Sequence, residues 1–250
     1  MKKHLSVIML AARSTVYKVL LLILATGAVQ AGLFWRAMTE SRTAGAALDI
    51  YQVINLETVL ESSHIYLAAG LAFYLLCVIL CLNGCEFGSK VGYTLRRLAV
   101  SERNVTVWWA VYNTCCFVIF WMSQALIMLL LCRWYGAGAM DGVFGPQSVF
   151  LAFYRDKYLH SLIPMAEISR WVRDIILCIC LGTCTATFSY KLRRGKKGVA
   201  IFVLAVLTFG GFCAEMGQLS LDIVISIAAL IVAGLSAFLI WELEGDTDES

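Results

Sequence analysis

The sequence VTVWWAVYNTCCFVIFWMSQALIMLLLC, residues 105–132, runs for 28 residues without a charged side chain. A helix needs about 20 apolar residues to cross the hydrocarbon core of a bilayer. The run is continuously apolar, whereas a strand of a membrane barrel would alternate apolar and polar positions. Because a helix satisfies its own backbone hydrogen bonds in lipid, this stretch predicts a transmembrane helix.

Five more charge-free apolar runs accompany it, near residues 19–35, 65–83, 175–190, 198–214 and 223–241. The chain is 60% hydrophobic and 15% charged, whereas an ordinary soluble domain is about 25% charged, which excludes a soluble globular fold. We therefore predict an all-α polytopic membrane protein with six transmembrane helices. These form a single domain, residues 1–241, and an acidic cytoplasmic tail follows at 242–250.

The distribution of Lys and Arg predicts the orientation of these spans. Thirteen of the 20 basic residues lie in the N-terminal segment and in the second and fourth connections, and KLRRGKK at residues 191–197 is the densest group. The other seven are spread over two longer connections and are interleaved with Asp and Glu. Since basic loops stay in the cytoplasm, both termini are expected there.

The N-terminal segment also resembles a secretory signal. Lys2 and Lys3 precede the apolar run 19–28, and the small residues Val29 and Ala31 stand where a signal peptide would be cleaved. The run continues through residues 32–35, which favours a retained span. Cleavage would leave five spans and a cytoplasmic C-terminus.

The stretch EFGSKVGYTLRRLAVSER, residues 86–103, lies between the second and third spans and contains a short helix-like pattern in which Tyr93, Leu95 and Leu98 stand among polar neighbours. So short a helix is marginal in water, so we expect it to fold against the bundle, the lipid headgroups or a partner protein. Ser101 or Asn104 can cap the span that follows. The simpler interpretation is a basic loop that only follows the positive-inside distribution.

This stretch resembles the corresponding loop in the permease subunits of ABC exporters, the class that includes drug, polysaccharide and lantibiotic exporters. The matching residues are Tyr93, Thr94, Leu95, Arg96, Arg97, Leu98, Val100, Ser101 and Arg103. Six spans, cytoplasmic termini and an amphipathic segment at residues 1–17, similar to the family's elbow helix, extend the resemblance.

The resemblance implies that residues 92–99 form a coupling helix that docks on a separate ATP-binding cassette ATPase. It also implies a second permease subunit, in a homodimer or a heterodimer. One feature departs from the family, whose long re-entrant outer segment lies between the last two spans. Here that connection is short, residues 215–222, and the long outer loop is 133–174.

The long outer loop contains FLAFYRDKYLHSLIP, residues 150–164, which carries three charges at its centre and so is not expected to span. Its aromatic residues recur near helical spacing, which predicts an interfacial helix in contact with membrane lipid. The residues expected on it are Phe153, Tyr154, Arg155, Tyr158 and His160. Its role is either lipid contact and substrate gating, or packing on the outer rim of the bundle.

Within the spans, Gln124 is expected to join two helices by a hydrogen bond, whereas Glu215 and Asp222 are expected to be solvated in a turn. Most of the ten cysteines lie in apolar runs, where thiols pack as small hydrophobes, so no metal is expected. Cys132 and Cys213 fall near the outer surface, where a disulfide between them is a hypothesis.

Catalytic and nucleotide-binding motifs are absent from the sequence. It contains no G-x-x-x-x-G-K-[ST], no H-E-x-x-H and no G-x-S-x-G, so we expect neither an enzyme nor a cofactor, and ATP hydrolysis would belong to a partner.

The basic residues behind the net charge of +3 are scattered along the chain, which argues against a nucleic-acid partner. Two alternatives stay open: a non-transporting scaffold or sensor that binds anionic lipid, and a membrane enzyme that uses His64 and His160 with Glu61 or Glu167.

Overall fold

The structure, a computed structural model, describes residues 2–47, 56–83, 101–137, 146–165, 167–196, 198–212 and 219–248. Within these ranges every regular element is a helix, which confirms the all-α prediction for them. The helices are α1 (Lys2–Ala47), α2 (Leu56–Ser63), α3 (Ile65–Cys81), α4 (Glu102–Ala137), α5 (Pro146–Arg155), α6 (Lys157–Leu162), α7 (Ile168–Arg193), α8 (Ala200–Phe212) and α9 (Leu219–Asp248).

Four of these helices contain a segment long and apolar enough to cross a bilayer: Ser6–Ser41 of α1, all of α4, all of α7, and Leu219–Phe238 of α9. Helices α2 and α3 qualify as a fifth span if they are counted together, although they meet at a bend of 46°. Helix α8 has 13 residues, or about 20 Å at 1.5 Å per residue, which is shorter than a hydrocarbon core of about 30 Å.

The outer surface of the bundle is apolar. Large hydrophobic side chains such as Leu24 on α1, Val206 on α8 and Val224 on α9 are exposed. A soluble protein rarely exposes apolar patches of this extent, whereas lipid solvates them. The fold is therefore that of a helical membrane protein.

Helices α1, α4, α7 and α9 extend beyond the predicted segments, and α7 starts at Ile168, inside the predicted outer loop 133–174. Helix α1 is continuous from Lys2 to Ala47, where the sequence predicts a separate amphipathic segment at 1–17. No Pro or Gly lies between Lys2 and Thr26, so nothing in that stretch breaks the helix. Helix α9 continues to Asp248 and so includes most of the predicted acidic tail.

Helices α4 and α7 pack so closely that their backbones are in contact. A Cβ atom on Gly182 of α7 would lie 2.7 Å from the backbone nitrogen of Thr114 and 2.8 Å from the carbonyl oxygen of Ala110, both on α4. One turn along α7 from Gly182, Thr185 accepts a hydrogen bond from Asn113 of α4 at 2.9 Å. Small residues at membrane helix contacts permit this approach, and van der Waals packing then stabilises the pair.

Other polar pairs join the remaining spans. Gln30 of α1 donates to Gln124 of α4 at 2.9 Å, which confirms the predicted role of Gln124. The hydroxyls of Thr187 on α7 and Ser236 on α9 lie 2.7 Å apart. Such bonds contribute roughly 0.6 kcal/mol each in a membrane, so they select the helix pairing more than they stabilise it.

Because the α4–α7 contact needs glycine at position 182, Gly182→Ala should destabilise the bundle. The added methyl group meets backbone atoms that cannot move independently, and overpacking of this kind costs about 1–3 kcal/mol. The measurement is the apparent melting temperature of purified protein in detergent. Gly234→Ala is the matched control, because a Cβ there has nothing within 4 Å; equal melting temperatures for the two variants would contradict the prediction.

Candidate functional site

A cluster of buried charged residues lies at the end of the bundle that carries α5 and α6, called here the α5–α6 end. Arg170, Arg173 and Asp174 come from the start of α7 and Asp222 from the start of α9, and each is at most 3% exposed. Residues three and four positions apart share one face of a helix, so the sequence places Arg170, Arg173 and Asp174 together on α7. Asp222 is therefore not the solvated turn residue predicted above; Glu215 lies outside the described residues.

Arg173 is the centre of this cluster. Its Nε donates a hydrogen bond to Asp174 Oδ1 at 2.9 Å, and its Nη1 donates to Asp222 Oδ1 at 2.7 Å. The same Nη1 lies 3.3 Å from the carbonyl oxygen of Gly211 on α8. Arg173 therefore joins α7, α8 and α9 through one side chain.

Arg170 extends the cluster towards α6. Its Nε lies 2.6 Å from Glu167 Oε2 and 3.9 Å from Asp222 Oδ2, and its Nη1 donates to Ser161 of α6 at 3.1 Å. His160 Nε2 is 3.9 Å from Glu167 Oε2. Burial lowers the pKa of His160 and the positive charge of Arg170 lowers it further, with Glu167 opposing.

Besides His160, the cluster holds three carboxyl groups, on Glu167, Asp174 and Asp222, and two guanidinium groups, on Arg170 and Arg173. Asp174 Oδ2 is buried and accepts no hydrogen bond from the described part of the chain. A buried carboxylate oxygen is stable only with a partner. Asp174 is thus the position at which the cluster can bind another group.

Next to Asp174 lies a partly open cavity of about 80 Å³, called here the aromatic cavity. Eight aromatic residues line it: Tyr66, Phe73, Phe117, Phe120, Trp121, Tyr158, Phe209 and Phe212. Its other polar lining residues are Gln124, Asp174, Cys178 and Thr208, and among the lining residues Asp174 alone carries a carboxyl group. The walls therefore combine large apolar surfaces with one carboxylate.

A second and larger cavity of about 320 Å³, called here the vestibule, adjoins the first. Tyr66 and Tyr158 line both cavities. The charged residues of the vestibule are Glu57, Glu61, Arg155, Asp156 and Lys157. The two tyrosines therefore stand between a charged outer chamber and an apolar inner one.

Asp156 shapes the vestibule by capping α6. Its Oδ1 accepts a hydrogen bond from the backbone nitrogen of Leu159 at 2.8 Å, as N-cap residues do. Burial raises the pKa of this carboxyl, and the charges of Glu61 and Glu57 raise it further, while the backbone hydrogen bonds oppose the rise.

Asp156 also divides the helix expected over residues 150–162 into α5 and α6. Phe153 and His160 are buried in the bundle, Tyr158 is half-buried against the cavities, and Tyr154 and Arg155 are exposed. Arg155 lies 3.4 Å from Glu57 of α2. The aromatic repeat therefore faces the bundle as much as the membrane surface, because its apolar side packs on α4.

The predicted coupling residues Tyr93, Leu95, Arg96, Arg97 and Leu98 lie outside the described residues. Ser101 and Arg103 are described, at the start of α4. The carbonyl oxygen of Ser101 accepts a hydrogen bond from Val105 N at 3.2 Å, so Ser101 occupies the N-cap position.

Among the described residues, the histidines and cysteines form no recognisable centre. His64 is exposed, has φ 49° at the α2–α3 bend, and packs against Tyr66, whereas His160 packs against Tyr154. Within the described ranges, no three His, Cys, Asp or Glu side chains are arranged to hold a metal ion. Cys132 has a buried free thiol, and Cys213 lies outside the described residues.

Arg173→Met should strongly destabilise the protein. It leaves Asp222 and Asp174 buried without their main partner, and removing one member of a buried pair costs about 3–5 kcal/mol. The apparent melting temperature in detergent measures the change. Arg36→Met is the control, since Arg36 and its partner Glu40 are exposed, and it should have no measurable effect. An Arg173→Met protein as stable as wild type would contradict the assignment.

Comparisons with family models, with curated proteins and with solved structures found no match for this chain.

Proposed function

We propose that this chain is the six-span permease subunit of a bacterial ABC exporter, located in the cell membrane with both termini in the cytoplasm. It works with a second permease subunit, as a homodimer or heterodimer, and with a separate ATP-binding cassette ATPase. Residues 92–99 dock on that ATPase, and Arg96 and Arg97 make its charged contacts.

The observation that carries the proposal is the way both ends of residues 84–100 are held. Asn83 precedes the segment; its carbonyl oxygen accepts a hydrogen bond from Ser189 at 2.5 Å, and its side chain accepts one from Ser14 at 2.9 Å. After the segment, Glu102 lies 3.4 Å from Arg194. A segment anchored on α1, α7 and α4 can pass a force to all three helices.

These anchors lie at the end of the bundle where α1 and α4 begin and α7 ends, called here the basic end. Val7, Val105, Trp109 and Ala186 pack together there, and Arg193 stacks on Trp109 with its Cζ 4.8 Å from the ring centre. The basic stretch KLRRGKK, residues 191–197, begins in the last turn of α7. The positive-inside rule supports a cytoplasmic location for this end.

Helix α4 is the element that would transmit the movement. It has 36 residues, about 54 Å at 1.5 Å per residue, and begins where the coupling segment ends. Its other half supplies Phe120 and Trp121 to the aromatic cavity and Met128 to the vestibule. ATP-driven closure of the ATPase would tilt α4 together with α7, and the cavities at the far end would open or close.

Alkaline phosphatase fusions, which are active only outside the cytoplasm, test this topology. A fusion after Asp141, in the long α4–α5 connection, should be active, whereas fusions after Gly195 and after Ser250 should be inactive. The positive-inside distribution is the reason. Activity after Gly195 would contradict the orientation. Opposite results at Gly195 and Ser250 would contradict an even number of spans between these two positions.

The ATPase partnership is tested with Arg96→Glu/Arg97→Glu. Tagged protein is expressed at native level with its chromosomal neighbours, solubilised gently, and its co-purifying proteins are quantified by mass spectrometry. Wild type should retain a stoichiometric ATP-binding cassette protein, and the double variant should lose at least about 90% of it, because opposite charges at a docking surface repel.

Lys2→Glu/Lys3→Glu is the matched control, because it makes the same charge change at the same end of the bundle. It should retain the ATPase. Retention by Arg96→Glu/Arg97→Glu, or equal loss in both double variants, would contradict docking through residues 92–99. A wild-type preparation with no such ATPase would favour the membrane scaffold instead.

A further inference from the structure

We infer that the aromatic cavity binds a small methylated ammonium cation, with Asp174 as its counter-charge. If the bound cation is the exported cargo, the inference rests on the proposed export function. The binding itself depends only on this chain. The evidence is the composition of the walls, the free oxygen of Asp174, and the charge of the route that leads to the cavity.

The walls favour a cation with an apolar surface. Phe117, Phe120 and Trp121 form one side on α4, and Phe209 and Phe212 form another on α8. The face of an aromatic ring attracts a cation that lies within about 6 Å of its centre, and rings of this kind surround methylated ammonium groups in known aromatic cages. The cluster itself uses this contact, since Arg173 Cζ lies 5.8 Å from the centre of Phe212.

The charge of the site excludes an anion. Of the carboxylates in the cluster, that of Asp174 lines the cavity. Its Oδ2 accepts no hydrogen bond from the described residues. Arg173, the nearest positive charge, already bonds to both Asp174 and Asp222. A ligand that brings a positive charge and one N–H donor would satisfy Oδ2, whereas an anion would add a second uncompensated charge.

The size of the cavity limits the ligand further. About 80 Å³ is roughly half of the ~150 Å³ cavity that holds benzene in another protein, so the ligand is smaller than benzene. Trimethylammonium fits these requirements, because it has one N–H for Asp174 Oδ2 and three methyl groups for the aromatic walls. A larger amine would extend past Tyr66 and Tyr158 into the vestibule.

The vestibule favours entry of the same kind of ligand. Its three carboxylates, on Glu57, Glu61 and Asp156, outnumber the two basic groups, on Arg155 and Lys157. An excess of one charge at the mouth of a cleft raises the local concentration of oppositely charged ligands. The outer and inner chambers therefore select for a cation in succession.

The test is equilibrium binding of radiolabelled trimethylammonium to the purified chain in an uncharged sugar detergent, where no lipid ammonium competes. Unlabelled tert-butanol is the matched neutral competitor, since it also has one hydrogen-bond donor and three methyl groups. We expect saturable binding, displacement by tert-butanol only at about tenfold or higher concentration than by unlabelled trimethylammonium, and at least tenfold weaker binding in Asp174→Asn.

Ala69→Leu keeps the test decisive if Asp174→Asn does not fold, because Asp174 also pairs with Arg173. Ala69 lines the cavity, so the larger side chain should fill the cavity and abolish binding without removing a charge. Ala25→Leu, on an exposed face of α1, should bind as wild type does.

Three results would overturn the inference: no saturable binding, displacement by tert-butanol and trimethylammonium at equal concentrations, or unchanged binding in Ala69→Leu. Equal displacement would show a neutral apolar cavity. Because the assay contains no ATPase, these results are independent of the co-purification experiment that tests the permease assignment.

Discussion

A guanidinium group buried in a lipid-facing bundle constrains how the α5–α6 end is built. Arg173 is fully buried, and in a medium of low dielectric such a charge is stable only when carboxylates and carbonyl oxygens satisfy it. Asp174, Asp222 and Gly211 do so, and they come from α7, α9 and the end of α8. The start of α9 is therefore held against the start of α7, and the short helix α8 is bound at one end to both.

The same cluster determines the shape of the cavities. Arg170 holds α6 through Ser161, and Trp121 and Trp171 donate to the carbonyl oxygens of Leu162 and Pro164 at 3.0 and 2.6 Å. These bonds bring Tyr158 to the boundary between the vestibule and the aromatic cavity. A helix placed on the surface by its sequence thus becomes part of the wall of an internal site.

The two ends of the bundle are joined by the α4–α7 contact. At Gly182 the helices are too close for any side chain, so they slide or tilt as paired rods and do not deform independently. Asn83 and Glu102, which flank residues 84–100, are held at one end of these helices, and the aromatic cavity lies towards the other. This arrangement gives the proposed coupling between ATPase and cavity a physical route.

The sequence by itself determined the all-α fold class, the apolar runs from which α1, α3, α4, α7, α8 and α9 are largely built, and the role of Gln124, because uninterrupted apolar runs allow only helices in lipid. It placed Arg170, Arg173 and Asp174 in the outer loop, whereas helix α7 starts at Ile168 and brings all three to one helical face. It did not reveal that Asp222, 48 residues after Asp174, completes their cluster, or that Asp156 starts a new helix. Only the tertiary structure decided these points, because whether a charged residue near a span end is solvated or buried depends on which distant helix brings it a partner.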